Sequence, residues 1–173
     1  MKAKQLVIII AALVISTLGK AFAEDWIIYP GSQVGWVTIN KTTIKDVVKK
    51  FGNLDGRSKD GSTILYRNRF GLDFIYDPKT LKVISVMITK DGSGGIKYRT
   101  DTQLFVGAPM ASVWKVYNKP AMMNKKAGYD IYTYFDKDRF LTFVGKGGNV
   151  VMIWTGMKSV YDAKFEEFKE SLQ

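Results

Sequence analysis

The chain has no cysteine and no histidine, and only four prolines in 173 residues. Without cysteine there is no disulfide, no zinc-thiolate centre and no thiol nucleophile; without histidine there is no Ser-His-Asp triad and no imidazole metal site. Most hydrolase chemistry is closed to such a chain. What is present is 46% apolar and 13% aromatic residues beside 24% charged ones, a balance that buries a core and lies far from a disordered composition. The length suits one compact domain or two small ones.

Basic residues outnumber acidic ones, 26 to 16, for a formal charge of +10. Three of the lysines lie in the first 23 residues, which have the three-part form of a secretory signal. Lys2 and Lys4 precede an apolar run from Leu6 to Leu18, and Ala21-Phe22-Ala23 gives an A-x-A cleavage site. The run falls short of the roughly 20 residues a spanning helix needs, so the expected product is an exported chain starting near Glu24, with no transmembrane span after cleavage. No cysteine stands at the cleavage point to take a lipid. Removing Lys2, Lys4 and Lys20 lowers the formal charge from +10 to +7. An exported protein of that charge meets anionic envelope surfaces before it meets nucleic acid, so no nucleic-acid partner is expected.

A shift of 66 residues lays Ile44–Gly52 over Met110–Asn118 with the apolar positions coincident. Ile44, Val47, Val48 and Phe51 in the first segment, and Met110, Val113, Trp114 and Tyr117 in the second, stand at i, i+3, i+4 and i+7, one apolar stripe on a short helix. Thr43 suits an N-cap with Asp46 three residues on, Gly52 suits the end of that helix, and Pro109 suits the first turn of the other. Strands are expected at 63–69, 72–76 and 83–88, and again at 129–135, 140–144 and 150–155. Asp77-Pro78-Lys79-Thr80 and Lys146-Gly147-Gly148-Asn149 supply turns. Asp91-Gly92-Ser93-Gly94-Gly95 reads as a connecting seam, and 159–172, with Tyr161, Phe165, Phe168 and Leu172 in a stripe, as a final helix folding back on the second sheet. The expected fold is α+β: two tandem repeats, 24–95 and 96–173, each a helix on a three-stranded antiparallel sheet, with a C-terminal helix. Joining of the two sheets edge to edge is the alternative, since each alone leaves open edges.

The repeat resembles the small outer-membrane-assembly lipoproteins of the SmpA/OmlA, or BamE-like, type and the tandem β-lactamase-inhibitory proteins. Their signature is Gly, then Ser or Thr two residues later, Val at the seventh position and an apolar-Gly-x-Pro ending. The first copy keeps Thr43, Val47, Phe51 and Gly52 but has Lys41 for the opening Gly and Leu54 for the Pro; the second keeps Gly107, Val113, Tyr117 and Pro120 but has Pro109 for the Thr and Asn118 for the Gly. The resemblance spans about residues 34–154 and implies a concave sheet surface that binds protein. The missing lipid-bearing cysteine separates the chain from the assembly lipoproteins, and no inhibitor contact residue carries over.

Motifs for chemistry are sparse. Ser112-Val113-Trp114-Lys115 matches the Ser-x-x-Lys of penicillin-recognising enzymes, but no Lys-Thr-Gly or Ser-Asp-Asn follows and the serine lies inside the helix stripe. Asp136-Lys137-Asp138 begins like a calcium loop without its Gly or closing Glu and reads as a charged turn. Asn40-Lys41-Thr42 is a glycosylation sequon. No carboxylate pair stands out for glycoside hydrolysis. No catalytic residue, metal site or cofactor is assigned, and the chain is read as a non-enzyme. The aromatic excess is more informative. Clean alternation turns Ile131 and Phe135 to the helix and Asp130, Tyr132 and Tyr134 to an open face. In the first half, hydropathy turns Ile64, Tyr66 and Phe70 inward and the arginines outward, which predicts a bulge or register slip between copies. Tyr66, Arg67, Arg69, Tyr132, Tyr134 and Trp154 are expected to cluster on the sheet face away from the helices, because tyrosine, tryptophan and arginine are the types enriched at binding hot spots; the rival reading places Tyr66 and Trp154 in the core. The function expected is an exported protein-binding module, as inhibitor or envelope-assembly accessory; the rival is adhesion to anionic lipid or glycan through the +7 charge.

Overall fold

The computed structural model describes residues 25–93 and 96–172. The expected signal, its cleavage site and the last two glycines of the seam lie outside the described residues. Twelve strands and four helices follow in order: β1 (Asp25–Tyr29), β2 (Gln33–Val34), β3 (Val37–Thr38), α1 (Ile44–Phe51), β4 (Gly56–Arg57), β5 (Thr63–Tyr66), α2 (Arg67–Phe70), β6 (Leu72–Tyr76), β7 (Val83–Ile88), β8 (Lys97–Thr100), α3 (Met110–Tyr117), β9 (Met122–Lys126), β10 (Tyr129–Asp136), β11 (Arg139–Lys146), β12 (Asn149–Met157) and α4 (Lys158–Ser171).

These elements overturn the expected pair of three-stranded units. The chain is mostly β, with one eight-stranded antiparallel sheet ordered β4-β5-β6-β7-β12-β11-β10-β9 and a second, mixed sheet ordered β3-β2-β1-β8. The large sheet is continuous because β7 pairs with β12, Ile88 opposite Ile153 and Ser85 opposite Gly156. Separate small sheets would each leave an edge of unpaired main-chain groups at that place. The second sheet rests on a parallel pairing that sequence periodicity gave no sign of, Asp25 to Ile28 alongside Lys97 to Thr100.

Local chemistry explains the helices and turns. Thr43 and Asp46 form a capping box, the Asp46 N–H donating to Thr43 Oγ1 and the Thr43 N–H to Asp46 Oδ2 at 3.0 Å. Gly52 ends α1 at φ 76° and donates its N–H to the Val48 carbonyl. Pro109 caps α3 from an extended conformation. Gly147 and Gly148, both at positive φ, make the two-residue turn between β11 and β12.

One core fills the space between the two sheets together with α1 and α3. Trp26 and Ile28 of the small sheet, Phe51 of α1, Val113 of α3, and Tyr66, Phe74 and Phe143 of the large sheet belong to it. The opposite face of the large sheet carries a second core, in which Phe140, Ile131 and Trp154 pack under Tyr161, Phe165 and Phe168 of α4. The large sheet is therefore covered on both faces. Alternation along β10 sends Ile131 and Phe135 to α4 and Tyr132 and Tyr134 to α3, so neither set lies on the free face that the sequence reading expected. Register shifts fall at Ile75/Tyr76 and at Val144/Gly145, one in each half.

Candidate binding sites

The six residues expected to cluster do not. Tyr66 is fully buried in the first core and donates its hydroxyl to the Gly52 carbonyl at 2.9 Å. Trp154 is fully buried in the second. Both fill space between a sheet and a helix, which removes them from any contact surface. The strand expected at 63–69 stops at Tyr66, and Arg67 and Arg69 stand on α2, a single turn closed by Gly71 in the left-handed conformation. Arg69 lies over the Phe70 ring at 5.0 Å. Tyr134 packs on Tyr117 and Phe143 and donates to the Asn118 carbonyl at 3.0 Å. Burial and the neighbouring tyrosines push its hydroxyl up to about 12. Tyr132, half-buried, meets Trp114 edge to face at 5.8 Å.

Tyr132 and Trp114 open onto the first of two surfaces. Trp114 belongs to the apolar stripe of α3 but sits at its margin, 42% exposed. Met123, 48% exposed, stands opposite Tyr132 on β9, the last strand of the large sheet. Ala127 and Gly128, at φ 49° and 80°, form a two-residue hairpin turn between β9 and β10. In such a hairpin the flanking pair, Lys126 and Tyr129, exchanges hydrogen bonds, so alternation turns the main-chain groups of Met123 and Lys125 outward. The Lys125 ammonium pairs with Asp130 at 3.2 Å. The result is an aromatic-thioether strip bordered by basic residues and an unpaired strand edge. Sequence reading placed Trp114 in the core stripe and read no strand in Met-Met-Asn-Lys-Lys.

The second surface is a groove of about 540 Å³ on the other face of the large sheet, between α4 and the strands β5, β6 and β7. Leu65, Ile75, Met87 and Met152 line it from the sheet, and Phe168 of α4 and Leu172 just past its end line it from the other side. At one end Lys164 reaches Asp60 at 3.0 Å. Hydrogen bonds from Ser58, Ser62 and Lys164 hold the Asp60 carboxyl well below the usual carboxylate range. At the other end Asp73, 1% exposed, accepts from Arg67, through Nε at 2.9 and 2.8 Å and through Nη2 at 2.6 Å. Burial pushes the Asp73 carboxyl up, and the Arg67 hydrogen bonds offset only part of that. Arg67 is the one expected site residue that borders this groove; Asp73, buried mid-strand in Leu-Asp-Phe-Ile-Tyr, had no partner visible in the sequence.

Among the described residues no helix is long and apolar enough to cross a membrane, and no group of three or more Asp or Glu is placed to hold a metal ion. No family profile and no curated protein matches the chain. Among solved structures it is similar to a DUF4309 family protein from Bacillus subtilis, with 19% identity, a TM-score of 0.53, and coverage of 73% of this chain and 85% of that one. At that identity the likeness speaks to the fold alone.

Proposed function

We propose that the chain is an exported, non-enzymatic protein-binding module whose contact surface is the strip formed by Trp114, Tyr132 and Met123 beside the open edge of β9. The observation that carries this reading is the exposed Trp114 set edge-on against Tyr132, with Met123 across the strand from it. Tryptophan and tyrosine give large contact area at low side-chain entropy cost and are enriched at interface hot spots, and methionine adds an adaptable apolar surface enriched in interfaces generally. The outward main-chain groups of Met123 and Lys125 add a template for a strand of the partner. Export is supported by the signal-like first 23 residues, and the non-enzymatic reading by the lack of histidine and cysteine. An inhibitor and an envelope-assembly accessory both use such a surface.

The test is capture of a partner from the producing cell's envelope fraction with wild-type protein and with the Trp114→Ala/Met123→Lys double variant, at 0.1 M and 1 M salt. An aromatic interface holds the same partner at both salts and loses it in the variant. Charge-driven adhesion weakens steeply as the Debye length falls from about 10 Å to about 3 Å and is indifferent to the variant; that outcome overturns the proposal in favour of adhesion to anionic lipid or glycan.

A further inference from the structure

We propose that the groove between α4 and β5–β7 binds a fatty-acid-type monocarboxylate, its alkyl chain on the sheet and its carboxylate on Arg67. This inference stands apart from the Trp114 surface, which lies on the opposite face of the sheet.

The head-group site is built from a buried charge. Asp73 takes the Nε side of the Arg67 guanidinium, and a guanidinium has a second donor edge, Nη1 with the outer N–H of Nη2. Arg67 is 58% exposed on its side chain, so that second edge is available, while Asp73 fixes the plane of the group. A planar fork held in one orientation is the geometry that recognises a carboxylate bidentately. The other charges of the groove do not compete for it. Lys164 is engaged by Asp60, and Glu167 stands with its carboxylate 3.9 Å from Lys164, at the far end.

The body of the ligand follows from the floor. The side chains of Leu65, Ile75, Met87 and Met152 offer no N–H or O–H to a ligand, and these residues are paired in the ladders among β5, β6, β7, β11 and β12. A peptide laid there would leave its amides unsatisfied against apolar side chains, whereas a hydrocarbon chain loses nothing. From Leu65 on β5 through Ile75 and Met87 to Met152 on β12 the groove crosses four neighbouring strands, about 14 Å at the ordinary spacing between strands, the reach of an alkyl chain of about ten carbons. Its volume of about 540 Å³ lies in the range of small-ligand clefts.

The experiment is calorimetric titration of the full chain with decanoate, with decyltrimethylammonium and with the tripeptide acid acetyl-Leu-Ile-Phe. Decanoate is expected to bind one to one and the other two at least tenfold more weakly. Arg67→Lys keeps a cation for Asp73 but loses the fork; it should lower the melting temperature while unfolding stays cooperative, and should weaken decanoate about tenfold at a temperature where the variant is fully folded. Leu65→Trp, which fills the groove from a half-buried position, should abolish binding, and Trp114→Ala should leave it intact. The proposal is overturned if decanoate does not bind, if the cationic amphiphile binds equally well, if the tripeptide is preferred, or if neither groove variant changes the affinity.

Discussion

The indole N–H of Trp154 donates to the hydroxyl of Ser85 at 2.7 Å, and that hydroxyl in turn donates a hydrogen bond to the Thr155 carbonyl at 2.8 Å. The two residues lie 69 positions apart on β12 and β7, so this buried chain of hydrogen bonds crosses the seam where the two halves of the large sheet meet. Ser85→Ala leaves the indole N–H without a partner and should cost about 1–3 kcal/mol. Trp154→Ala empties a site packed by Phe140, Tyr161 and Phe168 and should cost about 3–5 kcal/mol. Denaturant midpoints of the two variants, measured beside wild type, check both values; a Trp154→Ala protein as stable as wild type would contradict its place in the core.

Trp114 and Met123 should behave in the opposite way. Each is more than two-fifths exposed, so Met123→Ala is expected to shift stability by no more than about 0.5 kcal/mol, and Trp114→Ala by about 1 kcal/mol for its edge-to-face contact with Tyr132. The same denaturation series measures this, and partner capture is expected to fall in denaturant-free buffer, where both variants remain folded.

The capping box of α1 gives a third expectation. Thr43→Ala removes the side-chain acceptor for the Asp46 N–H and should cost about 1 kcal/mol, while Thr43→Ser, which restores the hydroxyl, should recover most of it. Thermal melts of the pair separate capping from any effect of side-chain bulk.

Tyr134 sets a limit at alkaline pH. Its hydroxyl, held by burial first and by Tyr132 and Tyr117 after it, ionises at about 12 in the folded chain against about 10 in an unfolded one. The unfolded state therefore releases this proton first. The contribution of Tyr134 is complete below pH 10 and is lost as the pH rises from 10 through 12. Tyr98, buried and likewise pushed up, adds to the same loss. Absorbance titration of tyrosinate should show these two groups ionising late, and Tyr134→Phe should flatten the fall in stability across that window.

Local signals in the sequence located individual elements better than their arrangement. Thr43, Asp46 and Gly52 mark α1 because capping needs only neighbours in the chain, and Gly147-Gly148 marks a turn for the same reason. The joining of β7 to β12 and the parallel pairing of β1 with β8 depend on partners about 70 residues away, which no periodicity reports. The site reading failed where it assumed one free sheet face. Period-two alternation separates Ile131 from Tyr132 correctly, yet it cannot say that α3 covers one side and α4 the other. Arg67 was legible as exposed by hydropathy, but the orientation of its guanidinium depends on Asp73, six residues on and buried beneath it.

The pairing of β1 with β8 also governs how the protein acquires its shape. Residues at the very start of the described chain hydrogen-bond to residues 97–100, and β7 must wait for β12. Contacts of such long sequence separation close large loops before any stabilisation is returned, which slows folding toward the millisecond-to-second range typical of β-rich domains. β1 cannot be seated until about a hundred residues of chain are present. Until then the aromatic cluster around Trp26 and Phe51 stays unshielded, which exposes the unfinished chain to aggregation and proteolysis.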